Sequence, residues 1–259
     1  MKITRLETLR VNVPIIPHMT AKTSHGEHAT SPYLIVRIHT DEGHVGLGEA
    51  TLSPLWSGET VPGCAAILED LVAPEITGCD PTQINQLRHK LDRCIRFNPF
   101  AKSAVEMALW DLKGKALGVP VYQLLGGKVR DQVPIKLVVW AWDIPRVERL
   151  TKQFLEWGVR FIKIKVGLNP DEDVERVRTV RQLAGPDIPI GVDANGGWTP
   201  STARQTLLRL EEFNLLFAEQ PIPPTHVDAL AELRRHTRIP IMADESNFTL
   251  EDAWSITAH

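Results

Sequence analysis

The sequence is poor in the features that mark three common classes of protein. It has three cysteines, Cys64, Cys79 and Cys94, and no two of them form a CxxC pair, so neither a disulfide framework nor a zinc site is expected. No apolar run approaches the ~20 residues that a bilayer-spanning helix needs. The formal net charge of −3 argues against a dedicated nucleic-acid binder. The N-terminus also lacks the apolar block of a secretory signal, so we expect a cytoplasmic protein without membrane or nucleic-acid partners.

The first half of the chain carries strand signals followed by helix signals. Hydrophobic residues make up 43% of the sequence, enough to bury a sizeable core. Apolar and β-branched runs at 3–13, 33–39 and 45–49 predict a small antiparallel sheet. Apolar residues then recur at helical spacing over 101–118. We therefore predict an α+β domain over residues 1–128.

A polar segment, residues 14–31, separates the first two predicted strands. It contains His18, His25 and His28. A loop of this length is either mobile or functional, although solvated histidines are the simpler interpretation.

From residue 133 onward, apolar runs and amphipathic stretches alternate regularly. The predicted strands are 133–140, 161–166, 188–193, 215–219 and 239–243. Strands separated by helices at this spacing predict parallel βα units, which we assign to a second domain over residues 129–259. Candidate helix N-cap residues are Asn169, Thr199, Thr225 and Thr249.

Charged side chains stand at the carboxyl ends of four of these strands. Lys163 and Lys165 alternate with apolar residues, so strand geometry points both to the same side. Acidic residues end the next three strands, at Asp193, Glu219 and Asp244. Neighbouring strands lie ~4.8 Å apart. Parallel α/β proteins bind ligands at this edge, so the acids can converge there.

Converging carboxylates repel one another unless a cation offsets their charge. A set of oxygen ligands without His or Cys predicts Mg²⁺, with Mn²⁺ as the alternative, and no organic cofactor. A metal ion beside the lysines would disfavour their ammonium form, so at least one lysine is expected to act as a base near neutral pH. This arrangement suits removal of a proton alpha to a carboxylate, because a metal ion stabilises the enediolate charge that develops in the transition state.

Simpler interpretations exist for the same residues. Lys163 and Lys165 on an exposed edge strand would be ordinary solubilising charges. An aspartate after a strand, such as Asp193, is commonly a helix cap or turn residue. The apolar neighbours of the lysines favour a buried strand, and an acid at three successive strand ends favours the metal site.

Four short motifs give the chain a family resemblance. Lys-x-Lys at 163–165, Asp-Ala-Asn at 193–195, Glu-Gln-Pro at 219–221 and Ala-Asp-Glu-Ser at 243–246 occur in the order and spacing of the enolase superfamily. Within that superfamily the chain resembles the muconate-lactonizing subgroup of the mandelate racemase/muconate lactonizing enzyme family. The helix 101–113, with the Leu-Leu-Gly-Gly that follows it, resembles the end of this family's capping domain.

The resemblance implies a role for each residue at the strand ends. The metal ligands would be Asp193, Glu219 and Asp244. Lys165 would be the acid/base catalyst on one face of the substrate, and Lys163 would help to hold and neutralise the substrate carboxylate. A Lys or His base beside one or two Mg²⁺ ions is an established feature of the enolase superfamily.

Supporting positions also follow from the resemblance. Asn195 and Glu245 would contact the ligands or the substrate from outside the metal site. The segments 14–31 and 55–59 would cover the mouth of the barrel and select the substrate.

The activity implied is muconate cycloisomerase-like lactonization of a small carboxylate. The alternatives are epimerization or racemization of a dipeptide or amino-acid derivative, dehydration of an acid sugar, and an inactive truncated remnant that binds a partner through its capping domain. The complete protein is expected to be a homo-oligomer.

The expected fold is an α+β capping domain followed by an incomplete (β/α)₈ barrel of about five βα units. A complete barrel needs ~250 residues, and the region after residue 128 holds about half of that number. We therefore expect the chain to be a fragment or a C-terminally truncated product of a longer protein, poorly folded or inactive on its own, with the opposite-face lysine of the family outside it.

Overall fold

Two compact units make up the computed structural model, which describes residues 1–258. The first unit contains Met1–Pro14 and Thr30–Gln132, and the second contains Ile15–Ala29 and the chain from Val133 onward. Each unit has its own hydrophobic core.

The secondary structure follows the predicted alternation. The strands are β1 (Ile3–Pro14), β2 (Ala21–Thr23), β3 (Gly26–His28), β4 (Thr30–Thr40), β5 (Val45–Thr51), β6 (Leu137–Val139), β7 (Ile162–Lys165), β8 (Ile190–Asp193), β9 (Ala218–Glu219) and β10 (Ile241–Met242). The α-helices are α1 (Pro54–Ser57), α2 (Val61–Ala66), α3 (Ala73–Ile76), α4 (Ile84–Cys94), α5 (Pro99–Leu117), α6 (Val121–Leu124), α7 (Ile144–Glu156), α8 (Pro170–Ala184), α9 (Pro200–Leu210), α10 (Val227–His236) and α11 (Leu250–Ala258). None of the helices within residues 1–258 combines the length and apolar character that a membrane crossing requires.

The first unit is an antiparallel sheet packed against helices. Its strands lie in the order β1-β4-β5, which confirms the sheet predicted from the sequence. Helix α5 approaches β5 so closely that a Cβ atom at Gly46 or Gly48 would collide with the carbonyls of Ala108 and Ala104. Glycine in this strand is therefore required by the packing of the helix.

The second unit contains a parallel sheet in the order β10-β9-β8-β7-β6 over the described residues. Each strand pairs with its neighbour in sequence, and helices α7 to α10 connect them. The predicted α/β class and the five parallel strands are confirmed, although each strand is shorter than its apolar run. The strands in the middle of the sheet are buried along their whole length, as expected for a sheet covered on both faces.

Three of the four helix caps predicted from the sequence are present in the structure. Asn169 accepts hydrogen bonds from the first turn of α8, Thr199 from Thr202 N, and Thr249 from Asp252 N. The predicted cap at Thr225 is wrong, because α10 begins at Val227 and no side chain caps it.

The segment 15–29 belongs to the second unit, whereas the predicted first domain, residues 1–128, includes it. It is more ordered than a polar loop, with a 3₁₀ turn at Pro17–Met19 followed by the β2–β3 hairpin. Its contacts explain the difference. Trp142 Nε1 donates to Thr20 O at 2.8 Å, and the backbone N–H of Ala141 donates to Lys22 O at 3.0 Å.

Candidate active site at the carboxyl ends of the parallel strands

The two lysines of β7 point to the same side of the sheet, as predicted. Both side chains are only 9% exposed. Lys163 Nζ lies 2.8 Å from Asp193 Oδ2 and 2.7 Å from Glu219 Oε1. Lys165 Nζ lies 2.6 Å from the same Asp193 Oδ2. The exposed-edge interpretation of this pair is therefore excluded.

The register of the sheet brings the carboxylates to these lysines. Lys165 pairs with Asp193, and Asp193 pairs with Glu219, so the last residues of β7, β8 and β9 lie side by side. Asp244 follows β10 by two residues, and its side chain interacts with that of Glu219. The three predicted acids thus lie at one edge of the sheet, as the strand geometry requires.

The buried charges shift one another's pKa values. Burial lowers the pKa of Lys163, but Asp193 and Glu219 outweigh this effect and raise it to about 12. Burial raises the pKa of Asp193, yet the two lysines hold it below its usual value. The pKa of Glu219 is raised by burial and by Asp193, and that of Asp244 by burial and by Glu245 and Asp193.

The expectation that at least one lysine acts as a base near neutral pH gave that role to Lys165 and stays a prediction, whereas Lys163, the lysine expected to neutralise a carboxylate, is held in its charged form by its raised pKa. The expectation assumed a metal ion beside the ammonium group. The groups that Lys163 contacts here are carboxylates, which favour its charged form.

Asn195 and Glu245 extend the cluster. Asn195 Oδ1 accepts a hydrogen bond from Lys165 Nζ at 2.6 Å, and Asn195 Nδ2 donates to Glu245 Oε1 at 2.9 Å. The second oxygen of Glu245, Oε2, is buried and has no hydrogen-bond partner among residues 1–258. A buried acceptor without a donor is uncommon in native proteins and indicates a missing cation or donor.

The donor set fits a hard divalent cation. Within residues 1–258, no three His, Cys, Asp or Glu side chains are grouped as an assembled metal site requires. Four carboxylates nevertheless lie at this edge: Asp193 and Glu219 contact the two ammonium groups, Asp244 interacts with Glu219, and Glu245 keeps a buried oxygen without a donor. A site in which carboxylate oxygens outnumber lysine ammonium groups is of the kind that binds Mg²⁺ or Mn²⁺.

Sequence reasoning missed two residues beside the lysines. Trp140 lies at the end of β6, with the centre of its ring 6.0 Å from Lys165 Nζ, and the ring of His28 packs edge-on against it. Lys136 precedes β6, and partial burial together with the Lys163 ammonium lowers its pKa. Strand alternation could have found both, because Val138 lies between them and pairs with Lys163 in register.

Gln220 is a further unpredicted contributor. It is fully buried and has a left-handed φ of 35°. Its Oε1 accepts hydrogen bonds from the backbone N–H groups of Asp244 and Ser246, and its Nε2 donates to Ser246 Oγ. This amide therefore fixes the loop that carries Asp244.

The predicted mouth segment 55–59 has a structural role in the first unit. Glu59 accepts hydrogen bonds from the backbone N–H groups of Phe100 and Ala101, in the first turn of α5. Trp56 packs edge-on against Phe100. Its part in substrate selection stays a prediction.

Comparison with known proteins places both units in one family. Residues 3–126 match the description "Mandelate racemase / muconate lactonizing enzyme, N-terminal domain", and residues 146–259 match "Enolase C-terminal domain-like". An N-succinyl-L-Arg/Lys racemase from Bacillus cereus is 34% identical over 95% of this chain and 66% of its own length. Muconate cycloisomerase 1 from Rhodococcus opacus is 34% identical over 99% of this chain and 69% of its own length.

Solved structures of related enzymes show the same family relationship. A dipeptide epimerase from Cytophaga hutchinsonii, crystallised with Mg and the dipeptide D-Ala-L-Val, superposes with a TM-score of 0.93 at 34% identity. The match covers 100% of this chain and 69% of that one. The chain thus spans about two thirds of the length of its relatives, and 58% to 66% for three of the curated ones.

Proposed function

Because the chain belongs to the mandelate racemase and muconate lactonizing enzyme family of the enolase superfamily, we propose that it is an acid/base isomerase acting at the carbon next to a metal-bound carboxylate. The observation that carries this proposal is the meeting of Lys163 and Lys165 with the strand-end carboxylates. A buried lysine pair needs a chemical reason, since an ammonium group is costly to remove from water.

Lys165 is the proton-transfer group in this proposal. Its ammonium nitrogen is held between Asp193 and Asn195, at the outer end of β7 and beside the Trp140 ring. Lys163 lies one residue pair deeper along the same face, between two carboxylates. A position with two acidic neighbours keeps it charged, which suits the binding and neutralisation of a substrate carboxylate.

Asp193, Glu219 and Asp244 would hold Mg²⁺, with Mn²⁺ as the alternative. When bound, such an ion supplies charge stabilisation for an enediolate. The residues of this chain do the rest: Lys165 moves the proton at the alpha carbon, Asn195 orients its nitrogen, and the apolar core beneath the site excludes water.

Lactonization of a cis,cis-dicarboxylate is the first candidate reaction. Its support is the muconate cycloisomerase among the relatives, and protonation of the enolate after internal carboxylate attack needs one proton donor, the role proposed here for Lys165. Epimerization of a dipeptide or N-acyl amino acid is the second candidate. Its support is the racemase and epimerases among the relatives, at the same identity as the cycloisomerase.

One experiment separates these reactions and tests the proposal. The purified chain is supplied with Mg²⁺ or Mn²⁺ and incubated with cis,cis-muconate, followed by its ultraviolet absorbance, or with L-Ala-L-Glu in D₂O, followed by proton NMR. Lactone formation identifies the first candidate, and loss of the alpha-proton signal identifies the second.

Variants at Lys165 test its role. Lys165→Ala is expected to lower turnover by about 10²–10⁴-fold while calorimetric Mg²⁺ affinity is retained. Lys152→Ala is the matched control, because that lysine is exposed on α7 and pairs with Glu148 at the surface. Absence of both turnover and Mg²⁺ binding in the wild-type chain would contradict the proposal and favour a non-catalytic binding protein.

A further inference from the structure

We propose that Asp173 and Arg176 of helix α8 are positioning residues that fix Lys165 and the segment 15–29 in one arrangement. The inference rests on the proposed role of Lys165 and extends it to a buried ion pair outside the cluster of strand-end carboxylates. Both side chains are removed from water, with Asp173 0% and Arg176 2% exposed.

The ion pair supplies hydrogen bonds to the backbone where the strand-to-strand hydrogen bonds of β6 and β7 end. Arg176 Nη1 donates to Asp173 Oδ1 at 2.7 Å and to Lys165 O at 3.4 Å, and Arg176 Nε donates to Trp142 O at 3.2 Å. Lys165 is the last residue of β7, so its carbonyl needs a partner from outside the strand. One guanidinium group thereby holds the backbone at the ends of both strands.

Asp173, the partner of Arg176, binds the backbone that follows Lys165. Its Oδ2 accepts hydrogen bonds from the backbone N–H of Gly167 at 2.9 Å and from Trp198 Nε1 at 3.0 Å. Gly167 has a φ of +98°, and a Cβ atom there would collide with Ala194 O. The chain after Lys165 thus reverses in a conformation reserved for glycine, and Asp173 holds it.

Trp142 links the pair to the segment 15–29. The carbonyl of Trp142 is bound by Arg176, its indole N–H donates to Thr20 O, and its ring lies 3.9 Å below the guanidinium of Arg146. Arg146 in turn donates to Pro17 O, His18 O and Thr20 Oγ1. A displacement of Arg176 would therefore change the positions of both Lys165 and the segment 15–29.

Stability alone does not account for the pair. A buried ion pair can often be replaced by apolar side chains of similar volume without loss of stability. What apolar residues cannot supply is directed hydrogen bonds to four groups at three strand ends. Positioning is therefore the property that needs these two residues.

The chain contains a matched control on the same helix. Arg181 also binds backbone carbonyls through its guanidinium group, donating to Phe213 O at 3.0 Å and to Ile188 O at 2.8 Å. These carbonyls precede β8 and β9, at the opposite end of the sheet. Arg176→Lys and Arg181→Lys thus make the same chemical change on one helix, at residues that contact opposite ends of the sheet.

The test compares the two variants by hydrogen–deuterium exchange and by kinetics in the metal-loaded chain. We expect Arg176→Lys to accelerate exchange at least five-fold in residues 15–29 and 163–168. We expect kcat to fall at least ten-fold with KM changed less than three-fold, since a misplacement of about 1 Å can cost 10²-fold in rate. Arg181→Lys should leave residues 15–29 and kcat unchanged and accelerate exchange only near 185–190 and 213–217.

Equal effects of the two variants on exchange at residues 15–29, or on kcat, would overturn the proposal. Asp173→Asn is the second variant, because one amide oxygen cannot replace both carboxylate oxygens, and it should reproduce the exchange pattern of Arg176→Lys. If the wild-type chain turns over neither substrate, the proposed function fails, and the exchange measurement alone still decides whether the pair positions the strand ends.

Discussion

The two ends of the parallel sheet are held together by different interactions. At the amino ends of β8 and β9, Arg181 and aromatic side chains hold the loops through backbone carbonyls and ring packing, with Phe161 against Phe217. At the carboxyl ends, lysines and carboxylates are buried against one another. The amino end can therefore be explained by stability, whereas the carboxyl end carries charges that stability does not require.

The largest effect should come from removing the acid that both lysines share. Asp193→Ala leaves two buried ammonium groups without their common partner, and we expect the free energy of unfolding to fall by about 3–5 kcal/mol. Chemical denaturation measures this loss. Asp171→Ala is the control, because Asp171 is 86% exposed and pairs with Arg209 at the surface, where about 1 kcal/mol or less is at stake. Equal losses would mean that the burial of Asp193 among the lysines does not decide the effect.

Metal binding should stabilise the carboxyl end next most strongly. At a Mg²⁺ concentration of 100 times Kd, a single site adds about 2.7 kcal/mol to the free energy of unfolding. Asp244→Asn should abolish this gain and leave the stability in EDTA within about 1 kcal/mol of wild type. A melting temperature that does not respond to Mg²⁺ in the wild-type chain would contradict the metal site.

Overpacking at Gly191, which pairs with Lys163 in register, should disturb the sheet just before Asp193. A Cβ atom at Gly191 would collide with the ring of Phe217, so Gly191→Ala is expected to cost about 1–3 kcal/mol. Calorimetric Mg²⁺ affinity should stay within three-fold of wild type. A larger loss of affinity would mean that the two ends are coupled through β8.

The smallest effect should come from a helix cap. Thr199 caps α9 through Thr202 N, and Thr199→Ala is expected to cost about 1 kcal/mol. Thr225→Ala should stay within about 0.5 kcal/mol, because Thr225 caps no helix. A larger loss of stability for Thr225→Ala than for Thr199→Ala would show that the position of the threonine before a helix, and not its hydrogen bond, decides the effect.

The strand-end cluster could be predicted because it follows from periodicity alone. Alternation along β7 places Lys163 and Lys165 on one face, and parallel neighbours bring Asp193 and Glu219 to the same level. These are properties of a single strand and its neighbours, so they need no knowledge of tertiary packing.

The supporting residues could not be predicted, because their role depends on what packs over them. Asp173 and Arg176 occur among six charged residues between 171 and 178, where the pattern is that of a solvated helix face. Only the fold shows that these two point inward. The raised pKa of Lys163 could not be predicted for a related reason, since the direction of the shift depends on which charges lie closest.

The segment 15–29 leaves the first unit between two strands of its sheet and attaches to partners far along the chain. Thr20 and Trp142 are separated by 122 positions, and Pro17 and Arg146 by 129. At translation rates of about 5–20 residues per second, this segment emerges on the order of ten seconds before the residues that bind it exist. Its docking is therefore a late, high-contact-order event in biogenesis.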